Sequence, residues 1–264
     1  PGLAAVLNTG LARIASPLVA RADADDRYAP DRLARQVAEF DRRSDLVGLS
    51  CGYHRITEDG ARVLTHRPVT GAAIIRFRAM FSNSLLHPGI VLRRAAVARV
   101  GGYDPAYWTA QDSDLWARLM AAGGALDNLP DPLVEWREHG GSVLSKRGPE
   151  GKALSLTVSR RLQEAYLGRA LEPQTVAAAV ETWRSYSPLP FDTLRRGAAH
   201  LARILDAARR QEEAEVIRDF ERKMAASFLR QARFALRRKP GTALRLGARA
   251  MAWRQGRPSE RDAA

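Results

Sequence analysis

The chain has 264 residues, of which 45% are hydrophobic, and it carries a formal net charge of +13. It contains one cysteine, Cys51, so an internal disulfide is excluded, and no apolar run approaches the ~20 residues that a membrane span requires. Residues 1–150 hold 19 Lys+Arg and 17 Asp+Glu, whereas residues 151–264 hold 23 and 12. This asymmetry predicts two regions with different roles, which we place at 1–148 and 149–264.

Apolar periodicity in the first region alternates between helical and strand spacing. In chain order it predicts a helix over 3–14, a strand over 18–20, a helix over 30–43, a strand over 46–53, a hairpin over 53–65, a helix over 70–80, a strand over 87–94, helices over 95–100 and 112–122, and short strands over 126–129 and 133–137. The helix over 30–43 is expected to bury Leu33, Val37 and Phe40. The alternation predicts an α/β layer fold.

The strand patterns end near residue 150, and helical periodicity follows. The predicted helices of this region span 151–168, 173–185, 192–208, 210–236 and 241–254. The second region is therefore predicted to be all-helical. The chain starts at Pro1 in the middle of an amphipathic pattern, which is typical of a piece of a larger protein.

Three carboxylates, Asp23, Asp25 and Asp26, follow the short strand over 18–20. Because open α/β sheets bind ligands at the carboxyl ends of their strands, this segment is a candidate site. Carboxylates this close repel one another unless a cation lies between them, and all-oxygen ligands suit Mg²⁺ or Mn²⁺. The alternative is an acidic turn that caps the following helix with help from Asp31.

Five motifs occur in a specific order along residues 1–145. They are Asp23-Ala24-Asp25-Asp26, His87-Pro88, Val100-Gly101-Gly102-Tyr103-Asp104, Gln111-Asp112-Ser113-Asp114-Leu115-Trp116, and Trp136-Arg137-Glu138-His139-Gly140-Gly141-Ser142. In this order and spacing they resemble the family 2 glycosyltransferases, which are inverting enzymes with the GT-A nucleotide-sugar fold. The resemblance implies a GT-A-like (Rossmann-like) mixed sheet. That sheet would be partial, because the βαβ unit that precedes the acidic motif in this family is missing from the chain.

The resemblance also implies roles for individual residues. It assigns Asp23, Asp25 and His139 to a divalent metal, Mn²⁺ or Mg²⁺; Asp23, Asp26, Gly101 and Gly102 to the nucleotide-sugar donor; and Asp112 to catalysis as the base. One departure is Gln111, which stands where the family usually has Glu. The implied reaction moves a sugar from a nucleotide-diphosphate sugar to an acceptor hydroxyl, with inversion, in bacterial polysaccharide or glycoconjugate synthesis.

Each of these residues has a structural alternative. Asp112 stands at a predicted helix start and is a candidate N-cap, and the glycine pair is a candidate turn. Trp108 is a candidate for stacking on an acceptor sugar or for core packing. His87 is expected to be structural, Trp116 to lie in the core, and Cys51 to be buried and inert.

The stretch from Phe228 to Arg257 has nine basic residues and no acidic one, interleaved with apolar residues. Such helices bind anionic membrane surfaces, and the alternative is a solvated basic face. Expected partners are a nucleotide-sugar donor, a saccharide or lipid-linked acceptor, and an anionic membrane surface, with no nucleic acid, at the inner face of the cytoplasmic membrane. The alternative function is a truncated, non-catalytic basic module that binds a membrane surface or nucleic acid.

Overall fold

The computed structural model describes residues 2–138, 148–236 and 240–256. The chain divides into two compact units: unit 1 consists of Pro1–Ala79 with Asn83–Val158, and unit 2 of Met80–Ser82 with Ser159–Ala264. All the strands of the described residues lie in unit 1. The predicted mixed α/β sheet followed by an all-helical region is confirmed.

The strands of unit 1 form one mixed sheet. They are β1 (Leu18–Ala20), β2 (Arg27–Tyr28), β3 (Leu46–Ile56), β4 (Arg62–His66), β5 (Val91–Arg93) and β6 (Ala125–Arg137). Their order is β1-β5-β3-β6-β2, and β4 pairs with β3 as the predicted hairpin. The β3–β6 pair is parallel, and the other pairs are antiparallel. β3 is buried from its first residue to Gly52, as a strand covered on both faces should be.

The helices of unit 1 cover this sheet. They are α1 (Leu3–Arg13), α2 (Arg32–Arg42), α3 (Ala72–Arg78), α4 (Arg94–Arg99), α5 (Gln111–Ala121) and the start of α6 (Pro149–Leu167), with one 3₁₀ turn at His87–Gly89. One buried apolar cluster of unit 1 includes Trp116 and Leu119 of α5 together with Ile90, Leu92 and Leu126. Trp116 is therefore a core residue and Cys51 is buried, as predicted.

The prediction for the buried face of α2 is wrong in part. Phe40 is buried, but Leu33 and Val37 are exposed, and Arg32 and Gln36 take the inward positions. The Gln36 amide donates to the carbonyl oxygen of Leu49 at 2.8 Å and to that of Gly89 at 2.9 Å. Those two carbonyls need donors, and α2 therefore turns a polar side chain toward them.

The two short strands predicted over 126–129 and 133–137 are one continuous strand, β6. Pro130 and Pro132 interrupt the strand pattern in the sequence. The parallel pairing with β3 shifts register on both sides of Gly52, opposite these prolines. The register shift accommodates the two prolines, which have no N–H to donate to the hydrogen bonds between β3 and β6, so β6 continues past them.

Unit 2 is helical in the residues described. After the end of α6 it contains α7 (Pro173–Arg184), α8 (Phe191–Gln211), α9 (Ala214–Ala235) and α10 (Pro240–Arg254). A row of rings forms its centre: Phe81 stacks on Trp183 at 4.6 Å between centroids, and Trp183 stacks on Phe220 at 5.5 Å. Trp253 of α10 meets Phe220 edge-on, also at 5.5 Å. No helix in the described part of the chain is long and apolar enough to cross a membrane.

Candidate active site

The acidic segment links β1 to β2. Because these strands lie at the two ends of the five-strand path, residues 21–26 cross the sheet from one side to the other. The loop is held at its start by the Arg21 amide, which donates to the Ile90 carbonyl at 2.9 Å. It is held again at Asp23, whose amide donates to the Tyr28 hydroxyl at 2.6 Å. β2 itself has only two residues and was not predicted.

Asp23 is paired with the arginine two positions before it. Arg21 donates from Nε to Oδ1 of Asp23 at 3.0 Å and from Nη2 to both carboxylate oxygens, at 2.7 and 2.9 Å. The side chain of Arg21 is 13% exposed, so this is a well-shielded, multidentate pair. Asp23 would therefore reach a cation only by sharing or exchanging an oxygen that Arg21 now holds.

Arg21 also contacts His87, and His87 contacts Tyr103. The guanidinium Nη1 lies against Nδ1 of His87, and Nε2 of His87 is 2.8 Å from the Tyr103 hydroxyl. Burial lowers the pKa of His87 well below its usual value, and the charge of Arg21 lowers it further. His87 is therefore neutral: Nδ1 accepts from Arg21, and Nε2–H donates to Tyr103. The expected structural role of His87 is thus to join the acidic loop to the glycine loop.

Asp26 is a partly buried carboxylate whose pKa is raised in the folded protein. Its Oδ1 accepts from the Arg137 amide at 2.8 Å, while Oδ2 is buried with no hydrogen-bond partner among the described residues. Burial, together with the charges of Asp25 and Asp23, raises the pKa of Asp26 to about 6, against the lowering effects of the Arg137 hydrogen bond and the charge of Arg21. Arg137 also donates from Nε to the Asp25 carbonyl at 2.9 Å, so the end of β6 shapes the loop.

The loop fits a cation in part. Oδ2 of Asp26 and the carboxylate of Asp25 are hard oxygen ligands. The negative charges of this loop raise the pKa of Asp26, and a bound cation would offset that repulsion. Among the described residues, however, no group of three or more Asp, Glu, His or Cys side chains is arranged to hold a metal ion. His139, the third predicted ligand, lies outside the described residues.

Asp112 occupies the first turn of α5, but Ala110 is the N-cap. Oδ1 of Asp112 accepts from the Ser113 amide at 2.8 Å, and Oδ2 accepts from Nδ2 of Asn83 at 2.8 Å. The side chain of Asp112 is partly exposed, and its Oδ1 also lies 3.4 Å from the Ser113 hydroxyl, which donates to it. The N-cap alternative is therefore wrong, and both carboxylate oxygens of Asp112 accept hydrogen bonds from other groups.

The glycine pair places Tyr103 against α1. Gly101 and Gly102 have φ angles of 82° and 72°, which glycine adopts readily. The Tyr103 amide donates to Oδ1 of Asn8 at 2.8 Å, and Nδ2 of Asn8 donates back to the Tyr103 carbonyl at 2.7 Å. A Cβ on Gly102 would lie 2.7 Å from Oδ1 of Asn8. The alternative that this pair forms a turn thus holds at least for Gly102, because a side chain there would collide with Asn8.

Tyr103 follows the glycine pair, and its side chain is buried. Burial raises the pKa of its hydroxyl, the charge of Arg21 lowers it, and the charges of Asp112 and Asp23 raise it. The capping alternative for the acidic run is not supported, because Asp31 is the N-cap of α2 and makes no side-chain cap bond.

Three residues of this region were not singled out from the sequence: Arg21, Asn83 and Arg137. A basic residue two positions before an acidic run was an available signal for Arg21, because crowded carboxylates need a counter-charge. Asn83 gave no signal, since its partner lies 29 positions away. Arg137 stood inside one of the motifs, but its main contribution is a backbone amide, which sequence letters do not reveal.

Comparison with known proteins gives a family match for the first part of the chain. Residues 1–101 match the model of glycosyl transferase family 2. The amylovoran biosynthesis glycosyltransferase AmsE of Erwinia amylovora is 31% identical over 147 residues, covering 56% of this chain and 54% of that protein. The UDP-Gal:alpha-D-GlcNAc-diphosphoundecaprenol beta-1,3-galactosyltransferase of Escherichia coli is 29% identical over 140 residues, covering 52% and 49%. The chain thus spans about half the length of these relatives.

Among solved structures, residues 1–349 of S. aureus TarS in complex with UDP-GlcNAc match with a TM-score of 0.48 and 15% identity, covering 97% of this chain and 72% of that chain. The predicted resemblance to family 2 glycosyltransferases is confirmed by the sequence matches.

Proposed function

Proceeding from the match of residues 1–101 to glycosyl transferase family 2, we propose that this chain acts as an inverting, GT-A-type glycosyltransferase. It moves a sugar from a nucleotide-diphosphate sugar to an acceptor hydroxyl. The observation that carries the proposal is that Arg21 and His87 join Asp23 to Tyr103, while Asn83 separately fixes Asp112 at the start of α5. The reaction needs an acidic loop at the leaving diphosphate and a fixed carboxylate at the acceptor hydroxyl.

The carboxylate of Asp112 serves as the base. An acceptor O–H donates its proton to Asp112 as its oxygen attacks the anomeric carbon of the donor sugar. The bond from that carbon to the nucleotide diphosphate breaks in the same step, so the configuration inverts. Asn83 holds Asp112 through Oδ2, so the direction in which the other lone pairs point is fixed before the acceptor arrives.

The acidic loop binds the diphosphate end of the donor. Asp25 and Asp26 would hold a Mn²⁺ or Mg²⁺ ion. Asp23 would be a further ligand once Arg21 releases one of its oxygens, and His139 would be the remaining ligand. A divalent ion bound there supplies charge neutralisation for the leaving diphosphate. Arg21, whose guanidinium also lies against His87, keeps the Asp23 carboxylate in place.

We propose that the acceptor is a saccharide or a lipid-linked saccharide of the bacterial cell envelope. The E. coli relative is named for a UDP-Gal donor and an alpha-D-GlcNAc-diphosphoundecaprenol acceptor, and the E. amylovora relative is named for amylovoran biosynthesis. By analogy the donor here is a nucleotide-sugar, and the site of action is the inner face of the cytoplasmic membrane.

Transfer assays on the full chain test the proposal. Asp112→Asn keeps the shape of the side chain and removes the base, so turnover should fall at least ~1000-fold while donor affinity stays within about twofold. Asp104→Asn is the matched control: its Oδ1 accepts from the Ala106 amide at 2.9 Å, a bond that asparagine retains, and turnover should not change. Undiminished turnover in Asp112→Asn would refute the assignment of the base.

The metal proposal has a test that needs no turnover. Mn²⁺ should raise the thermal unfolding midpoint of the wild type, because it relieves repulsion among the carboxylates. Asp25→Asn together with Asp26→Asn should abolish that increase, whereas Asp206→Asn in unit 2 should retain it. An equal increase in all three proteins would show that the ion binds elsewhere.

A further inference from the structure

The outward faces of α9 and α10 carry large apolar side chains. The exposed fractions are 64% for Leu236, which directly follows α9, and 77% and 54% for Leu244 and Met251 of α10. Isolated exposed apolar residues are ordinary on protein surfaces. Leu229 and Phe234 of α9 are also exposed, so several such residues lie within 23 positions of one another. A concentration of this kind marks an interaction surface.

The apolar residues of α10 form two separate stripes. Ala243, Leu246, Ala250 and Trp253 are buried, and Trp253 packs on Phe220 and Phe228 of α9. Leu244, Ala248 and Met251 follow one another at intervals of four and three positions, which puts them on one face of the helix. That face points away from the buried stripe and is exposed along its length. α10 therefore packs with one apolar face and leaves a second one uncovered in the described part of the chain.

The end of α9 shows a similar division. Phe220, Met224 and Phe228 are fully buried in unit 2. Leu229 and Leu236 are seven positions apart and share a face with the exposed Arg233. That face is turned away from the buried positions.

The charge of this segment has one sign. Residues 228–257 contain nine Lys or Arg residues and no Asp or Glu. Arg233 and Arg254 are exposed, while Arg245 and Arg249 lie over the ring of Phe191 at 5.4 and 5.8 Å. Exposed leucine and methionine flanked by arginine complement an anionic bilayer surface, whose headgroups attract the guanidinium groups while its acyl chains accept the apolar side chains. Nucleic acid would complement the charge but would leave Leu236, Leu244 and Met251 in water.

We propose that the outward faces of α9 and α10, carrying Leu229, Leu236, Leu244 and Met251 with Arg233 and Arg254, form a docking surface for an anionic lipid bilayer. The helices lie on the surface with their apolar residues at the level of the acyl-chain boundary. This surface belongs to unit 2 and needs no residue of the proposed catalytic site, so it stands or falls independently of glycosyl transfer.

Co-sedimentation with lipid vesicles tests the docking surface. The full 264-residue chain should bind vesicles of phosphatidylcholine with 30 mol% phosphatidylglycerol, and binding to pure phosphatidylcholine should be at least ~10-fold weaker. The triple variant Leu236→Gln, Leu244→Gln, Met251→Gln should weaken binding to the anionic vesicles by ~10-fold or more. The double variant Arg233→Gln, Arg254→Gln should weaken it by ~10-fold and flatten its dependence on salt.

Matched controls come from unit 2 itself. Tyr186→Ser removes a side chain that is 83% exposed but outside the basic segment, and Arg210→Gln removes an exposed arginine at the end of α8. Both should bind as the wild type does, and circular dichroism should show every variant equally helical. Absence of wild-type binding would overturn the proposal. So would equal binding to both vesicle types, or full binding by the glutamine triple variant, which would reduce the interaction to charge alone.

Discussion

The side-chain amide of Asn83 donates to Oδ2 of Asp112 at 2.8 Å, and its own Oδ1 accepts from the Leu85 amide at 3.0 Å. The second bond fixes which end of the amide faces Asp112, because only Nδ2 is left to donate to the carboxylate. Asn83 is therefore a positioning residue for the proposed base.

Replacing Asn83 by alanine should lower kcat about tenfold, since one charge-assisted hydrogen bond that orients the base contributes on the order of 1.4 kcal/mol. The KM for the nucleotide-sugar should stay within about twofold, because the hydrogen bonds of Asn83 go to Asp112 and Leu85. Steady-state kinetics with varied donor measure both quantities.

Ser113→Ala is the control for Asn83→Ala. The Ser113 hydroxyl also faces Asp112, but at 3.4 Å from Oδ1, and the backbone amide of Ser113 keeps its own bond. Its effect on kcat should be less than about threefold. If both variants behaved alike, the orientation of Asp112 would not depend on Asn83.

The sequence predicted the carboxylates but not the residues that hold them. Asp23 and Asp112 could be picked out because their motifs are local and ordered. The partners Arg21, His87 and Asn83 act through contacts that only the folded chain creates: His87 stands 66 positions from Arg21, and Asn83 stands 29 from Asp112. The apolar periodicity of α2 also predicted the wrong buried face. Gln36 points inward there because it donates to the carbonyl oxygens of Leu49 and Gly89.

Most helices of unit 2 were predicted to within a few residues, because each is amphipathic over three or more turns. The two-residue β2 and the continuous β6 were not predicted. A strand of two residues is too short to show a periodic pattern. The prolines of β6 predict an interruption of the strand, whereas in the structure a register shift in the pairing with β3 accommodates them.

Arg21→Lys should lower the free energy of unfolding by about 1–3 kcal/mol. A lysine keeps the charge but cannot donate to both oxygens of Asp23 and to His87 together, so shielded groups lose partners. Urea denaturation gives the change. Arg42→Lys is the matched control, because the Arg42–Glu39 pair is solvent-exposed on the Arg42 side and should contribute less than about 0.5 kcal/mol. Equal stability of the two variants would contradict the role given to Arg21.

The two adjacent glycines should respond differently to alanine. Gly101 and Gly102 both have positive φ, so each substitution strains the backbone by about 1 kcal/mol. A methyl group at position 101 meets open space, whereas at position 102 it would lie 2.7 Å from Oδ1 of Asn8.

Gly102→Ala should therefore destabilise the protein by about 1–2 kcal/mol more than Gly101→Ala, as measured by urea denaturation, because it also disrupts the paired bonds between Asn8 and Tyr103. The double variant Gly102→Ala, Asn8→Ala removes the obstructing oxygen, and there the added cost of the methyl group should shrink. Identical costs at positions 101 and 102 would mean that the Asn8 contact does not limit the turn.

His200 should make the stability of the protein depend on pH below neutrality. Nε2 of His200 donates to Oε1 of Gln163 at 2.9 Å, and Gln163 in turn donates to the Met80 carbonyl at 2.9 Å. Nδ1 is buried with no hydrogen-bond partner among the described residues. Burial lowers the pKa of His200 from 6.5 to about 4, with a further contribution from the charges of Arg203 and Arg169.

Because the pKa is lower in the folded state, the unfolded chain binds the proton first as the pH falls through 6.5. The stability associated with neutral His200 is complete above pH 6.5 and is lost progressively down to pH 4, by up to about 3 kcal/mol. His200→Gln can keep the bond to Gln163 but cannot bind a proton. Between pH 7 and pH 4, the free energy of unfolding of this variant should therefore fall by up to about 3 kcal/mol less than that of the wild type. His54→Gln should change the pH profile less than His200→Gln does, because burial also lowers the pKa of His54 but its side chain is much less buried than that of His200. Parallel pH profiles for the wild type and His200→Gln in urea denaturation would show that His200 is protonated in the fold without penalty.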